Sequence, residues 1–363
     1  MNTAERMYAQ NHTQCADFIA KVGKHVSVLV RGNMGVGKTS LLPMIAERLP
    51  THTPFYADCS TMDIPDVAMY DINNSSESLN FIYNEALGLH LDKPIILMLD
   101  EFGKSNPSVK LMLLRLILEG KMGNRTLHPD SIVFLTTNLD GEGVGDLLPA
   151  HACNRITIVE LAKPDHMAWI EWGINNGLNA TMLGWVKDNP QVMADWRDVK
   201  DPEENQYIFH PQAVGRTSFC TPRSLHKASH ILDASGDIDE HTLTSALVGC
   251  IGSRGALDLM AFHKLASQLP SRDSIKDNPK TAIVPDNASA VCMVIYRTLT
   301  SMTKDYVTPF MTYLNRLSPE AQGMFANGVY NDNYFARKDV VTNPAFTKFM
   351  TENTHMFTAD KNS

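Results

Sequence analysis

The chain lacks any apolar run near the ~20 residues that a membrane-crossing helix needs; its longest runs, at 95–99 and 132–135, have the length of strands. No transmembrane span is expected. The N-terminus carries Glu5 and Arg6 and no apolar stretch of the kind a secretory signal has, so a reducing compartment, the cytoplasm, is expected. Cysteine is sparse: the six residues, at 15, 59, 153, 220, 250 and 292, form no close pair that suggests a metal or redox centre, and they read as small buried hydrophobes. The thirteen histidines are dispersed and read as forming no helical two-histidine pair beside a carboxylate, so no zinc site is expected. Basic charge is not in excess. A formal net charge of -8 weighs against a surface built to neutralise a nucleic-acid backbone, though a local basic channel can hide in an acidic total. Internal repeats and low-complexity tracts are also absent from the sequence.

What remains is a globular composition, 44% hydrophobic and 20% charged, over 363 residues, more than one hydrophobic core usually serves. Two or three domains are expected. Up to about residue 162, short β-branched runs alternate with amphipathic stretches, the rhythm of a parallel sheet covered by helices. Strands are predicted over 26–30, 55–58, 95–100, 132–137 and 156–161, with helices over 38–49 and 78–89. Asn106 then Pro107 reads as the cap and first-turn proline of a helix that Gly120 closes. Gly123-Asn124 signals a hairpin before the fourth strand, and Pro43 is expected to kink the first helix or cost it a hydrogen bond. Lys163-Pro164 ends this pattern. Helices without a convincing strand follow to about Pro270, one of them opened by Thr221-Pro222 and running to Ile231. The polar stretch 271–286 looks like a linker, and further helices are predicted over 288–304 and about 306–316.

One octet carries the chemistry. Gly32-Asn33-Met34-Gly35-Val36-Gly37-Lys38-Thr39, followed by Ser40, fits the phosphate-loop pattern, with a strand before it and a helix after it. Backbone N–H groups of such a loop curl round phosphates, glycine alone allows so tight a bend, Lys38 supplies a point charge, and the Thr39 hydroxyl is placed to ligate Mg²⁺. At 95–100 an apolar strand ends in Asp100-Glu101. An aspartate at that end lies beside the loop and can hold the metal, while Glu101 is positioned to deprotonate a water. Thr136-Thr137-Asn138 ends the fourth strand and puts Asn138 where it can sense a γ-phosphate, or simply cap a turn before Asp140-Gly141.

Together these residues resemble the AAA+ superfamily and, within it, the MoxR-like branch. The run from Asp100-Glu101-Phe102-Gly103-Lys104 to Ser105-Asn106-Pro107 is similar to that branch's second nucleotide motif. Gly141-Glu142-Gly143, Leu148-Pro149-Ala150 and Asn154-Arg155 are similar to its stretch leading to an arginine finger. The run Ser60-Thr61-Met62-Asp63-Ile64-Pro65-Asp66 resembles the segment after strand two in relatives that have von Willebrand factor A-type partners. The resemblance implies a five-stranded parallel sheet of order 5-1-4-3-2 in a nucleotide-binding domain over 1–163 and an α-helical lid over 164–270; the polar stretch sets off a linker and helical C-terminal extension over 271–363. It implies ATP and Mg²⁺ bound between the subunits of a homo-hexamer. Arg155 would reach a neighbour's γ-phosphate, with Arg125 in the hairpin as the competing candidate. Thr221-Pro222-Arg223-Ser224 looks like the lid's second sensor, carried by Arg223 with Arg216 as fallback, and Met69, Tyr70 and Gly123-Asn124 are where a client would touch.

Three functions are therefore open. The first is an ATP-driven remodeller of a protein client, such as a von Willebrand factor A-type partner. The second is a nucleic-acid motor or loader, for which the acidic balance makes nucleic acid an unpromising partner. The third is a nucleotide-gated scaffold with little turnover.

Overall fold

The structure, a computed structural model, describes residues 8–73, 78–139, 154–266 and 269–353 and divides into two compact units, 1–163 and 164–363. In chain order the first unit carries helix α1 (His12–Val22), strand β1 (Ser27–Arg31), helix α2 (Leu41–Arg48), strand β2 (Thr53–Asp58) and the short helix α3 (Ile64–Val67). Strands β3 (Ala68–Asn73), β4 (Ser78–Tyr83) and β5 (Ile95–Asp100) come next, then helix α4 (Pro107–Glu119). The hairpin β6 (Lys121–Met122) and β7 (Arg125–Thr126) precedes β8 (Ile132–Thr137) and β9 (Ile156–Glu160).

Five of these strands form a parallel sheet in the order β2-β5-β8-β1-β9. Numbered one to five along the chain and read from the other edge, that is the expected 5-1-4-3-2. Both faces are covered, which is why the inner strands are almost continuously apolar. The two-residue period of a strand sorts their side chains. Ile95, Leu97 and Leu99 of β5, Leu29 of β1, and Val133 and Leu135 of β8 join one cluster with Val109, Leu113, Leu116 and Ile117 of α4. Ile96 and Met98, Val28 and Val30, and Ile132 and Phe134 point the other way, to Cys15, Ala16 and Ile19 of α1 and Leu41 and Ile45 of α2. All five parallel strands begin at one edge of the sheet and deliver their carboxyl ends to the other, where the loop after β1 meets the ends of β5 and β8.

Three local features differ from the sequence reading. Helix α1 was not anticipated, although its start is written in the sequence: Asn11 accepts from the Gln14 N–H at 2.9 Å while Gln14 Oε1 accepts from the Asn11 N–H at 3.0 Å, a reciprocal cap. Pro43 does no damage. The chain enters α2 through a 3₁₀ turn, Lys38–Ser40, so the proline falls in the first α-turn, where no N–H is required. The helix predicted over 78–89 is instead strand β4 followed by a 3₁₀ turn, Glu85–Leu87, and β4 pairs antiparallel with β3. Its residues Phe81 and Tyr83 pack on the core beside the α4 face while the intervening Ile82 is exposed, so the alternation of a strand outweighs the helical spacing. The hairpin at Gly123 and the Asn106 cap form as read, with Asn106 Oδ1 accepting from the Ser108 N–H at 3.0 Å and Gly120 left-handed at φ 64°.

The second unit is helical: α5 (His166–Asn175), α6 (Ala180–Asp188), α7 (Pro222–Asp233), α8 (Glu240–Ala266), α9 (Arg272–Asp277), α10 (Ala288–Thr300), α11 (Val307–Leu314), α12 (Pro319–Tyr330), α13 (Arg337–Val341) and α14 (Pro344–Glu352). By length and composition α8 is apolar enough to cross a membrane. It is two helical pieces meeting at Gly252 (φ 82°, ψ 161°), and Leu243, Leu247, Ile251, Ala256 and Leu259 are buried in the core of the unit. The stretch read as a linker, 271–286, is packed: α9 lies in it, and Ile275 and Ala282 are buried. One hydrophobic cluster runs from Trp169 of α5 to Phe349 of α14, so 164–270 and 271–353 share a core.

Candidate active site

The loop that follows β1 turns through two left-handed glycines, Gly35 (φ 69°) and Gly37 (φ 101°). A side chain on either would be strained, which is the reason for glycine there. Gly32 is confined differently: a Cβ on it would lie 3.3 Å from Leu161 and from Val36. Asn33, Val36 and Lys38 are buried, Met34 is half-buried, and Ser40 closes the loop by donating from Oγ to the Gly37 carbonyl at 2.7 Å. Lys38 curls back over the loop, its Nζ donating to the carbonyls of Gly32 (2.8 Å) and Asn33 (3.1 Å) and to Oδ1 of Asn138 (2.6 Å). A buried ammonium needs such acceptors, because uncompensated desolvation would cost several kcal/mol. The lysine thereby ties the loop after β1 to the end of β8.

Asp100 is the second node. Its carboxylate accepts hydrogen bonds from the hydroxyls of Thr39 (3.3 Å), Tyr56 (3.1 Å) and Thr136, and from the Glu101 N–H (3.1 Å). Loop, strand β2 and strand β8 thus converge on one buried carboxylate at the end of β5. Asp58 stands opposite Asp100 in the β2–β5 register, so acid accumulates at this edge of the sheet. Burial above all, then the charge of Asp100, pushes the Tyr56 phenol well above its ordinary range. Glu101 adopts φ 51°, the one left-handed non-glycine among the described residues. That conformation costs about 1 kcal/mol or more and is the kind of strain that collects at functional positions. Its carboxylate is held by Lys104, Oε2 to Nζ at 2.9 Å.

Hard oxygen donors, a hydroxyl and a carboxylate 3.3 Å apart at an acidic edge, suit a Mg²⁺ ion, so Thr39 and Asp100 fit the metal assigned to them. Thr137 Oγ and Asn33 Oδ1 are buried without a hydrogen-bond partner among the described residues, as groups facing a ligand site would be.

The remaining assignments are on other elements. Arg155, at the turn before β9, and Arg125, in β7, are both exposed, and among the described residues neither bonds to the Lys38–Asp100–Asn138 group. Residues 140–153, with the Asp140-Gly141 turn and the motifs at 141–143 and 148–150, lie outside the described residues. In the second unit, Arg223 is exposed in the first turn of α7, whose Thr221 caps the helix, and lines a cavity of about 480 Å³ with Lys227 and His230. Arg216 is committed to structure: its guanidinium donates to the carbonyls of Asn205, Ile208 and Pro202 at 2.9–3.1 Å, which removes it as the fallback.

Sequence reading passed over several residues. Tyr56 and His12 carried no motif; His12 Nε2 lies 3.1 Å from the carbonyl of Val36 in the loop. The histidines are also less dispersed than they looked. His226 and His230, one turn apart on α7, bring their Nε2 atoms to 3.1 Å, with Asp233 3.8 Å from His230 Nδ1, a spacing visible in the sequence. No third ligand joins them among the described residues, so they form a hydrogen-bonded pair.

The two segments expected to meet a client are adjacent. Tyr83 of β4 donates to Asn124 Oδ1 at 2.5 Å and accepts from the Asn124 N–H at 3.2 Å, and Phe81 packs against Gly123. Met69 of β3 pairs with Ile82 of β4, both exposed; the Tyr70 side chain lies outside the described residues.

A buried loop lysine, a strand-end acid pair and a polar residue on the adjacent strand, brought together at the carboxyl edge of a parallel sheet, define a P-loop ATPase. Residues 28–160 match the ATPase family associated with various cellular activities (AAA), and this stretch of the chain has the fold of an AAA P-loop domain. No curated protein matches the chain in sequence. Among solved structures it is similar to Hsp104 in its closed state with ATPγS and FITC casein, at 19% identity and a TM-score of 0.35 over 46% of this chain and 34% of that one. It is also similar to the RuvB Holliday junction branch migration motor of Thermotoga maritima, at 15% identity and a TM-score of 0.36 over 82% of this chain and 86% of that one. Likeness at these scores bears on neither substrate nor partner.

Proposed function

We propose that the chain is a cytoplasmic, Mg-dependent AAA+ ATPase of the MoxR-like type that works as a homo-hexameric ring and remodels a protein client. One observation carries the catalytic part: Thr39 of the loop and Thr136 of β8 both bond to Asp100, while Lys38 bonds to Asn138, so loop and acid pair address one small volume. In this reading the N–H groups of residues 32–40 and the charge of Lys38 hold the β- and γ-phosphates. Thr39 and Asp100 hold Mg²⁺, which when bound offsets charge on the phosphate oxygens. Glu101, released from Lys104, accepts the proton of the attacking water, and Asn138 orients that water against the γ-phosphate. Arg155 from a neighbouring subunit and Arg223 from the lid add charge as the bond breaks. The exposed Met69–Ile82 pair beside the Asn124 turn supports a polypeptide client, since apolar side chains offer little to a phosphate backbone.

Turnover by Glu101→Gln is the test. Steady-state hydrolysis should fall about 10²- to 10⁴-fold while ATP still binds, and a 1:1 mixture of Arg155→Ala and Lys38→Ala chains should regain activity that neither has alone. A Glu101→Gln chain with wild-type turnover removes Glu101 from the mechanism. Stimulation of the wild-type chain by DNA and not by protein would replace the remodeller with a nucleic-acid motor, and ATP binding without turnover in the wild-type chain would make it a scaffold.

A further inference from the structure

His12 lies outside the loop and outside every motif, yet its ring rests on the loop's apex. Nε2 is 3.1 Å from the Val36 carbonyl oxygen, and a Cβ on Gly37 would come within 3.1 Å of the same nitrogen. A carbonyl only accepts, so Nε2 carries the hydrogen and donates it. The backbone that carries the ring is anchored: Asn11 caps α1, and the adjacent Gln10 N–H donates to the Glu160 carbonyl of β9 at 2.9 Å. Burial lowers the imidazole's proton affinity below its ordinary range, which keeps the ring neutral at pH 7.

The peptide that His12 grips is one that can turn over. In a trans peptide the carbonyl and the following N–H point in opposite directions. Holding the Val36 oxygen toward α1 therefore points the Gly37 N–H away from α1. With Gly37 at φ 101°, one of the two residues flanking this plane has no side chain to resist its rotation, so an external anchor adds resistance on that side. We propose that His12 is a positioning residue for ATP: by donating to the Val36 carbonyl it holds the Gly37 N–H in the orientation that receives a nucleotide phosphate. This rests on the phosphate-loop reading above.

The test compares three full-length variants with the wild type for ATP hydrolysis kinetics, ADP affinity and melting temperature. His12→Phe keeps a ring of similar size without the donor; the KM for ATP and the Kd for ADP should each rise about tenfold, the upper end for one lost hydrogen bond, with the melting temperature little changed. His12→Gln places an amide N–H near the Nε2 position and should return both constants to within about threefold of wild type. His12→Asn, whose amide matches Nδ1 and falls short of the carbonyl, should resemble His12→Phe. Wild-type constants in His12→Phe, or a Gln variant as impaired as the Phe variant, would overturn the assignment. Lys38→Ala is the separate control: if it binds ADP and ATP as the wild type does, the phosphate-loop reading is what fails.

Discussion

Asp100 shows how much of the site is decided one side chain at a time. Its hydroxyl donors come from the loop, from β2 and from β8, and each is satisfied only if those segments arrive together. The motif residues were legible because their chemistry is fixed: few arrangements besides a phosphate loop need Gly35, Gly37, Lys38 and Thr39 in that order. Tyr56 and His12 were not, because a tyrosine in an edge strand or a histidine in a surface helix has no meaning until its neighbours are known. Titration gives this scale its prediction. Burial is the main cause lowering the proton affinities of His12, His226 and His263, with His230 adding to the shift at His226. The unfolded chain then takes up protons before the folded one, so stability rises with pH through this range. The contribution is complete above about pH 6.5 and is lost as pH falls through the lower folded values. Melting temperature at pH 5.5 should lie below that at pH 7.5, and His12→Gln should shrink the difference; equal melting temperatures at both pH values would mean the three rings are as solvated folded as unfolded.

Among elements, the paired strands β3 and β4 are where sequence reading failed. The spacing of apolar residues over 78–89 fits a helical face about as well as a strand, and the strand is chosen by a partner, β3, that lies earlier in the chain. Once formed, β4 is latched to the β6–β7 turn by Tyr83 and Phe81, and the latch requires a residue without a side chain at position 123. Gly123 has φ 54°, and a Cβ there would lie 2.6 Å from Tyr83 Oη and 2.7 Å from Phe81. Gly123→Ala should therefore force the hairpins apart and destabilise the first unit by about 1–3 kcal/mol, read from denaturant unfolding. Tyr83→Phe, which loses both Asn124 bonds and keeps the ring, should cost about 1 kcal/mol. A Gly123→Ala chain as stable as wild type would show that the latch does not exist in solution.

For the whole molecule, the boundary near Lys163-Pro164 was readable because the strand rhythm stops there, and the two compact units divide at the same place. The division at 270 rested on a polar, proline-containing stretch. Polarity along the chain does not report what Ile275 and Ala282 do, which is to enter the same core as Leu183, Leu225 and Leu259. Met293 of α10 packs at 3.0 Å from where a Cβ on Gly184 of α6 would stand, so the later helices fill space that the earlier ones leave. A chain ending at residue 270 should lose the unfolding transition of its second unit and become open to protease there, while the unit over 1–163 keeps its own transition. A truncated chain with both transitions intact would establish 164–270 as an independent domain.

By itself the sequence determined what is local or chemically narrow: the alternation that makes a covered parallel sheet, the glycines that let a loop bend round phosphate, the acids at a strand end, and the caps at Asn106 and Thr221. Tertiary structure decided the rest, because it depends on which distant segments become neighbours. That choice put His12 on the loop and Tyr56 on Asp100, and packed 271–286 into a core, each through contacts between residues far apart in the chain, while β4 became a strand by pairing with the segment just before it.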